Sequence, residues 1–150
     1  MTREKPALWQ CSDCGERFTT RNQRHSRGRF SIDTLFKRSD PNRRRLFRRF
    51  VEQTRECGRR KIIPQKTRIA FQVRMRFAAV IPRRNCLKGH LVLAERQKSA
   101  CFEGVQSYSS RNHVHVFRLV SEQQLDAEFC HFIAQAYRVG QQKHLNADPA

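Results

Sequence analysis

The sequence lacks long apolar runs. Among its 150 residues no apolar stretch is longer than the five of "FAAVI", far short of the roughly 20 that a membrane-spanning helix needs. The first ten residues, "MTREKPALWQ", contain no apolar segment of the kind found in secretory signal peptides. We therefore expect a soluble, cytoplasmic protein, in which the six cysteines remain thiols or bind metal rather than form disulfides.

The sequence is also poor in carboxylates, which narrows the chemistry open to it. Only Glu95 and Glu103 fall between residues 61 and 120, so a paired-carboxylate site or a metal-dependent nuclease is hard to assemble. The chain has no phosphate-binding Gly-rich loop, no G-x-S-x-G elbow and no H-E-x-x-H helix. A non-catalytic role is favoured. Catalysis by a Cys/His pair, in which Cys86 or Cys101 meets a histidine, stays open as an alternative.

Positive charge, in contrast, is in large excess. The chain has 31 Lys and Arg against 13 Asp and Glu, a formal net charge of +18. The excess lies in residues 1–120, because the last 30 residues hold more acidic than basic groups. Such a charge attracts DNA, RNA or another polyanion, with an affinity that depends strongly on salt. The alternative is an arginine-rich coding bias that scatters cations over the surface without a function.

Two segments have helical periodicity. Asp40 is a suitable N-cap before Pro41, and Gly58 is suited to end that helix. Between them one apolar stripe recurs at helical spacing, and it consists of Leu46, Phe47, Phe50, Val51, Thr54 and Cys57. A last helix is predicted to start at Ser121, with Gln124 completing a capping box. Shorter helical or turn structure is expected in "SIDTLF".

The middle of the chain has the period of β-strands. From Thr67 to Ile81 the odd positions are apolar or Thr, which predicts that they face inward and that even-numbered arginines face solvent. Fifteen residues exceed an ordinary strand, so a turn is expected near Arg74. Further strands are predicted in "HLVLAE", "VQSYSS" and "HVHVFRLV". The fold class is therefore α+β: a mostly antiparallel sheet of about four or five strands with two main helices on one face.

The N-terminal segment "WQCSDCGERFTTRNQRHSRG" has the beginning of a zinc finger. Cys11 and Cys14 have metal-chelate spacing, and His25 is a candidate third ligand. A fourth ligand is missing, because Arg27 has no lone pair to offer. Three alternatives stay open: a three-ligand zinc site, a site closed by a distant thiol such as Cys57, or a turn without metal.

This segment, together with "PQKTRIAFQVRMRFAAVIPR", "CLKGHLVLAER", "SRNHVHVFRL" and "AYRVGQQ", resembles a family of uncharacterised bacterial proteins. In that family a short Cys/His zinc-finger-like motif precedes a small α+β domain of unknown function. The resemblance implies H-S-C at the end of the motif, so that Arg27 stands where relatives have the fourth ligand. It also implies a finger-like segment in residues 1–30, an α+β domain in 31–145 and a tail in 146–150.

Two groups of residues are candidates for function. The first is a basic sheet face for anions, with alternate positions about 7 Å apart, and consists of Lys66, Arg68, Arg74, Arg76 and Arg118. The second is a polar pocket of Arg111, Asn112, His113 and His115 that Lys66 and Arg68 could join. The alternative for the two histidines, which share a strand face with Phe117, is that they are core-edge residues bonded to backbone groups. We therefore expect a non-catalytic module that binds nucleic acid or another polyanion; a small-molecule or catalytic pocket and a protein-interaction module are the alternatives.

Overall fold

The chain folds into a six-stranded sheet covered by helices on one face. The structure is a computed structural model, and it describes residues 7–10, 12, 17–19, 30–37 and 41–143. A two-stranded hairpin comes first, formed by β1 (Trp9–Gln10) and β2 (Arg17–Phe18). The helices are α1 (Ile32–Leu35), α2 (Pro41–Cys57) and α3 (Ala127–Gly140). The sheet strands are β3 (Lys61–Pro64), β4 (Ile69–Gln72), β5 (Arg76–Pro82), β6 (Leu87–Leu93), β7 (Phe102–Ser109) and β8 (Asn112–Leu119).

All neighbouring strands of the sheet are antiparallel, in the order β3-β4-β5-β6-β8-β7. The α+β class and the mostly antiparallel sheet are confirmed, but the predicted count of four or five strands is too low. The strand that the prediction missed is β3. Its four residues, ending in Pro64, are too few for an alternation of apolar and polar positions to stand out.

The two long helices pack their apolar stripes on the same face of the sheet. Helix α2 begins at Pro41 as predicted, and Gly58 follows its last residue with a φ of +141° that favours glycine. At α3 the prediction was partly wrong. Ser121 and Gln124 do form a capping box, but they close only the 3-10 turn Glu122–Gln124, and α3 starts after a second N-cap, Asp126.

Phenylalanines form the centre of the core. Phe50, on α2, is fully buried, and its ring lies 5.2 Å from that of Phe71 and 5.7 Å from that of Phe117, centroid to centroid. The ring of Phe129, on α3, is 6.5 Å away. Edge and stacked ring contacts therefore join both helices to strands β4 and β8, and this sets which sheet face is covered.

Of the odd positions from Thr67 to Ile81 that were predicted to face inward, Ile69, Phe71 and Phe77 lie in the core, but the prediction is wrong after Phe77. Phe71 pairs with Ala78 while Gln72 pairs with Arg76, so Phe77 is an extra residue in β5, a β-bulge that shifts the side-chain alternation by one. After the bulge it is Ala78 and Val80 that join the helix-side core. Near Arg74 the chain does turn, between β4 and β5. Among the described residues no helix is long and apolar enough to cross a membrane.

Candidate anion-binding surface and cavity

Basic side chains gather at one end of the sheet, where β3, β5 and β8 end and β4 and β6 begin. We call this group the basic rim, and it consists of Lys66, Arg68, Arg83, Arg84, Lys88 and Arg118. Five of these side chains are exposed, and Lys88 is half-buried. The rim forms because antiparallel pairing brings the chain back to the same end of the sheet, so that residues up to 52 positions apart in sequence lie at that end.

Strand register sets the spacing within the basic rim. Lys88 is the direct partner of Arg118, and their strands are about 5 Å apart. Arg68 precedes β4, two strands from Lys88, at about 10 Å by the same spacing. The backbone N–H of Gln65 donates to the carbonyl of Arg68 at 2.7 Å and fixes the start of β4. A hydrogen bond with the Cys86 side chain raises the pKa of Arg118, which therefore stays charged.

The described carboxylates at this end of the sheet include Glu103 and Glu122 and, near Cys101 before β7, Asp126 and Glu128. Glu103 is 3.8 Å from the ammonium of Lys88, with both side chains about half exposed, and Glu122 follows β8. An exposed pair at this distance is screened by solvent and contributes little. The basic rim therefore keeps a positive field.

His90 lies on β6 between this rim and the middle of the sheet. It shares a face with Lys88, two residues before it, and its register partners are Ala79 and Val116. Burial, and secondarily the charge of Arg68, lowers the pKa of His90 to about 4. The imidazole is therefore neutral at pH 7 and adds no charge to the site.

The other two arginines of the predicted anion-binding set are already bonded within the fold. With its amide oxygen turned toward Arg76, Gln65 accepts from both terminal guanidinium nitrogens, at 2.9 and 3.3 Å. Arg74 lies at the opposite end of the strands, where its Nε donates to Gln142 Oε1 at 2.8 Å and its backbone N–H donates to the carbonyl of Gly140. Of the five predicted residues, Lys66, Arg68 and Arg118 come together.

The structure does not bring the predicted polar pocket together with Lys66 and Arg68. Residues 111–115 lie where β8 begins, the far end of the strands from the basic rim, and the two histidines are buried on the helix side, paired with Leu93 and Leu91.

Hydrogen bonds within the fold hold these residues. His115 Nδ1 donates to the carbonyl of His113 at 2.8 Å, and its Nε2 accepts from the N–H of Gln97 at 2.9 Å. His113 contacts Ser107 Oγ at 2.7 Å. Asn112 Nδ2 and the N–H of Arg111 both donate to Ser109 Oγ. The two histidine rings thus bond β8 to neighbouring segments of the fold.

A second basic group was missed by the sequence analysis. A cavity of about 650 Å³ lies between the β1–β2 hairpin and the end of the sheet opposite the basic rim. Its described polar lining consists of Gln10, Arg17, Arg59, Arg60, Lys61 and Gln72. The run "RRK" after Gly58 was a local indication of it, but the contribution of Arg17, about 40 positions earlier, has no local signature.

The candidate metal ligands Cys11, Cys14 and His25, and Arg27 beside them, lie outside the described residues. In the ranges that are described, no three His, Cys, Asp or Glu side chains are grouped as metal ligands. Cys57, the alternative closing ligand, is half-buried at the end of α2, where its thiol donates to the carbonyl of Gln53 and burial raises its pKa.

Residues 32–140 match a family model described as a domain of unknown function, DUF5655. Since this is more than half of the chain, the chain belongs to that family. The matched range starts after the Cys/His segment, so it does not extend to the predicted finger. No curated protein and no solved structure matches the chain.

Proposed function

We propose that this member of the DUF5655 family binds the backbone of nucleic acid, independently of base sequence, through the basic rim. The observation that carries the proposal is the convergence of six cations onto one end of the sheet, five of them exposed and one, Lys88, with Glu103 as its carboxylate partner. Phosphate contacts of this kind supply most of the affinity in sequence-independent binding.

The sheet holds the central cations of this surface at fixed positions. Lys88 and Arg118 lie on β6 and β8, which share seven paired positions, more than the other strand pairs of the sheet. A side chain on a rigid strand loses less conformational freedom on binding than one on a loop. The net charge of +18 adds a long-range field that speeds encounter with a polyanion.

The side chains at the basic rim favour contacts to phosphate over contacts to bases. Its members are all Lys or Arg, and the neighbouring amide of Gln65 is engaged by Arg76. The exposed aromatic ring among the described residues is Tyr108, 68% exposed, and it lies near the end of β7 that is remote from the rim. Because the rim consists of cations and no exposed ring of the described residues lies beside it for base stacking, we expect little discrimination between sequences.

A protein-interaction module is less well supported. It would need an exposed apolar patch, and the exposed large apolar side chains of the described residues are Tyr108 and Val120. These lie at opposite ends of strands β7 and β8, so they do not form one patch.

The test measures binding of a fluorescent duplex of about 20 base pairs by anisotropy across a salt series. Each duplex phosphate contact contributes about 0.9 to the slope of log affinity against log salt. Replacing both Arg68 and Arg118 by Gln should therefore reduce that slope by up to about 1.8 and weaken binding. The matched control is Arg55→Gln with Arg138→Gln, two exposed arginines on α2 and α3 away from the rim.

Weaker duplex binding by the rim double variant than by the control double variant would support the proposal, because both variants lose the same formal charge. Equal weakening would mean that net charge alone drives binding, and the basic rim would then have no special role. Binding that does not change with salt would overturn the phosphate contacts themselves.

A further inference from the structure

The cavity beside the β1–β2 hairpin is a second, separate site. We infer that it binds a small phosphorylated molecule of the nucleoside monophosphate class. Its volume of about 650 Å³ lies within the range of pockets that hold small organic ligands, roughly 300–1,000 Å³. Four of its described lining residues are cationic and none is acidic, a composition suited to a phosphate group.

One wall of the cavity is held in place before any ligand arrives. Arg60 Nε donates to Thr54 Oγ1 at 3.0 Å, and one of its terminal nitrogens donates to the carbonyl of Val51 at 3.3 Å. The hydroxyl of Tyr137, on α3, donates to the carbonyl of Arg59 at 2.8 Å. Both long helices therefore fix the segment that follows Gly58. A guanidinium fixed in this way loses little side-chain entropy when it binds an anion.

The second wall carries a cation from the hairpin. Arg17 and Arg59 are both exposed and have no carboxylate partner among the described residues. The side-chain Nε2 of Gln72, on β4, donates to the backbone carbonyl of Arg17 and ties the hairpin to the sheet. Because of this bond, the two arginines line the same cavity although 42 positions separate them in the chain.

The remaining lining groups indicate what the phosphate is attached to. Gln72 is only 1% exposed, and its Oε1 is a buried acceptor without a hydrogen-bond partner. Inorganic phosphate has only its own O–H groups to offer such an acceptor, whereas a nucleotide can direct its phosphate to the cations and a ribose hydroxyl or base amino group to Gln72. Gln10 supplies a further amide, and Leu8 and Val73 supply apolar contact for a base or sugar. Together these groups match a nucleoside monophosphate better than inorganic phosphate.

This site does not depend on the proposed function, because it lies at the other end of the molecule. Helix α2 runs from the basic rim, where Arg43 donates to the carbonyl of Asn85, to Gly58 at the cavity. Its 17 residues correspond to about 26 Å at 1.5 Å per residue. Variants of one site therefore leave the side chains of the other in place.

The experiment titrates the full chain, by calorimetry, with the four ribonucleoside 5′-monophosphates and with inorganic phosphate. We expect at least one nucleotide to bind with one site per chain and about 10-fold more tightly than inorganic phosphate. Arg17→Gln with Arg59→Gln should weaken that binding about 10-fold or more, because each arginine supplies a charge-assisted hydrogen bond. Arg68→Gln with Arg118→Gln is the control and should change it less than about twofold.

Two results would overturn the inference. If no nucleotide binds more tightly than inorganic phosphate, the cavity does not recognise a nucleoside. If the Arg17 and Arg59 double variant binds the nucleotide like the unaltered chain, the binding site lies elsewhere. Loss of duplex binding in the Arg68 and Arg118 variant, with nucleotide binding kept, would show two independent sites.

Discussion

His90 should make the stability of the domain strongly dependent on pH. Burial, with a smaller contribution from the charge of Arg68, holds the pKa of this histidine at about 4 in the folded protein, against an ordinary value of 6.5. Between pH 6.5 and pH 4, His90 therefore takes up a proton in the unfolded chain but not in the folded protein. By linkage, stability contributed by neutral His90 is present above pH 6.5 and is lost as the pH falls toward 4.

The size of this effect follows from the two pKa values. One pKa unit corresponds to about 1.4 kcal/mol, so the full difference amounts to about 3 kcal/mol. Most of the interval between the two pKa values lies between pH 7.5 and pH 4.5, so His90 should account for a loss of about 2–3 kcal/mol in the free energy of unfolding over that change. This is a sizeable fraction of the roughly 5–15 kcal/mol that stabilises a typical domain.

Urea unfolding at pH 7.5 and 4.5 measures this contribution when the unaltered chain is compared with His90→Gln, which cannot titrate. The free energy of unfolding of the variant should fall by about 2–3 kcal/mol less on acidification than that of the unaltered chain. His131→Gln removes an imidazole that is exposed on α3 and should follow the unaltered chain. If His90→Gln also follows it, then His90 takes up its proton in the folded state as readily as in the unfolded one, and the argument fails.

Two further predictions concern the core and the N-terminal segment. Phe50→Ala should destabilise the domain by about 3–5 kcal/mol in urea unfolding, because the fully buried ring contacts Phe71, Phe117 and Phe129; a cost below about 1 kcal/mol would contradict its central place. In the N-terminal segment we propose that Arg27 is what weakens zinc binding by Cys11 and Cys14. Arg27→Cys should raise the zinc retained after dialysis, measured by elemental analysis, toward one per chain, whereas Arg29→Cys, which adds a thiol at another spacing, should not.

Much of the architecture could be predicted from local periodicity. The stripe of α2 and its ends at Pro41 and Gly58 are local features, and they are found as expected. The inward facing of β5 could not be predicted, because the bulge at Phe77 depends on how β5 pairs with β4. Alternation in a sequence reports which residues share a face only while the register is uninterrupted.

The candidate sites were less predictable than the fold, because they depend on which strand ends meet. Arg68, Lys88 and Arg118 share one end only through the antiparallel order of β4, β5, β6 and β8. The cavity depends on the bond from Gln72 to Arg17, which joins the hairpin to the sheet. Neither arrangement leaves a periodic pattern in the sequence.

The placement of the arginines also bears on whether their excess is only a coding bias. Several are engaged within the fold: Arg44 pairs with Asp33 at 2.7 Å, Arg60 bonds to Thr54, and Arg96 donates to Ser107. A bias without function predicts that the remaining cations are scattered over the surface. The described cations do include exposed arginines spread along α2 and α3, but beside these they form two groups, one at each end of α2.

Grouping like charges in this way has a cost, because neighbouring cations repel one another. Arg68 and its neighbours on the basic rim could be exchanged for neutral polar residues without loss of core packing, since their side chains are exposed. If repulsion at the rim has no compensating function, Arg68→Gln with Arg118→Gln should stabilise the domain at low salt and leave polyanion binding unchanged. If the rim instead binds an anionic partner, the same variant should be more stable and should bind the polyanion more weakly, because the cations that bind the partner also repel one another.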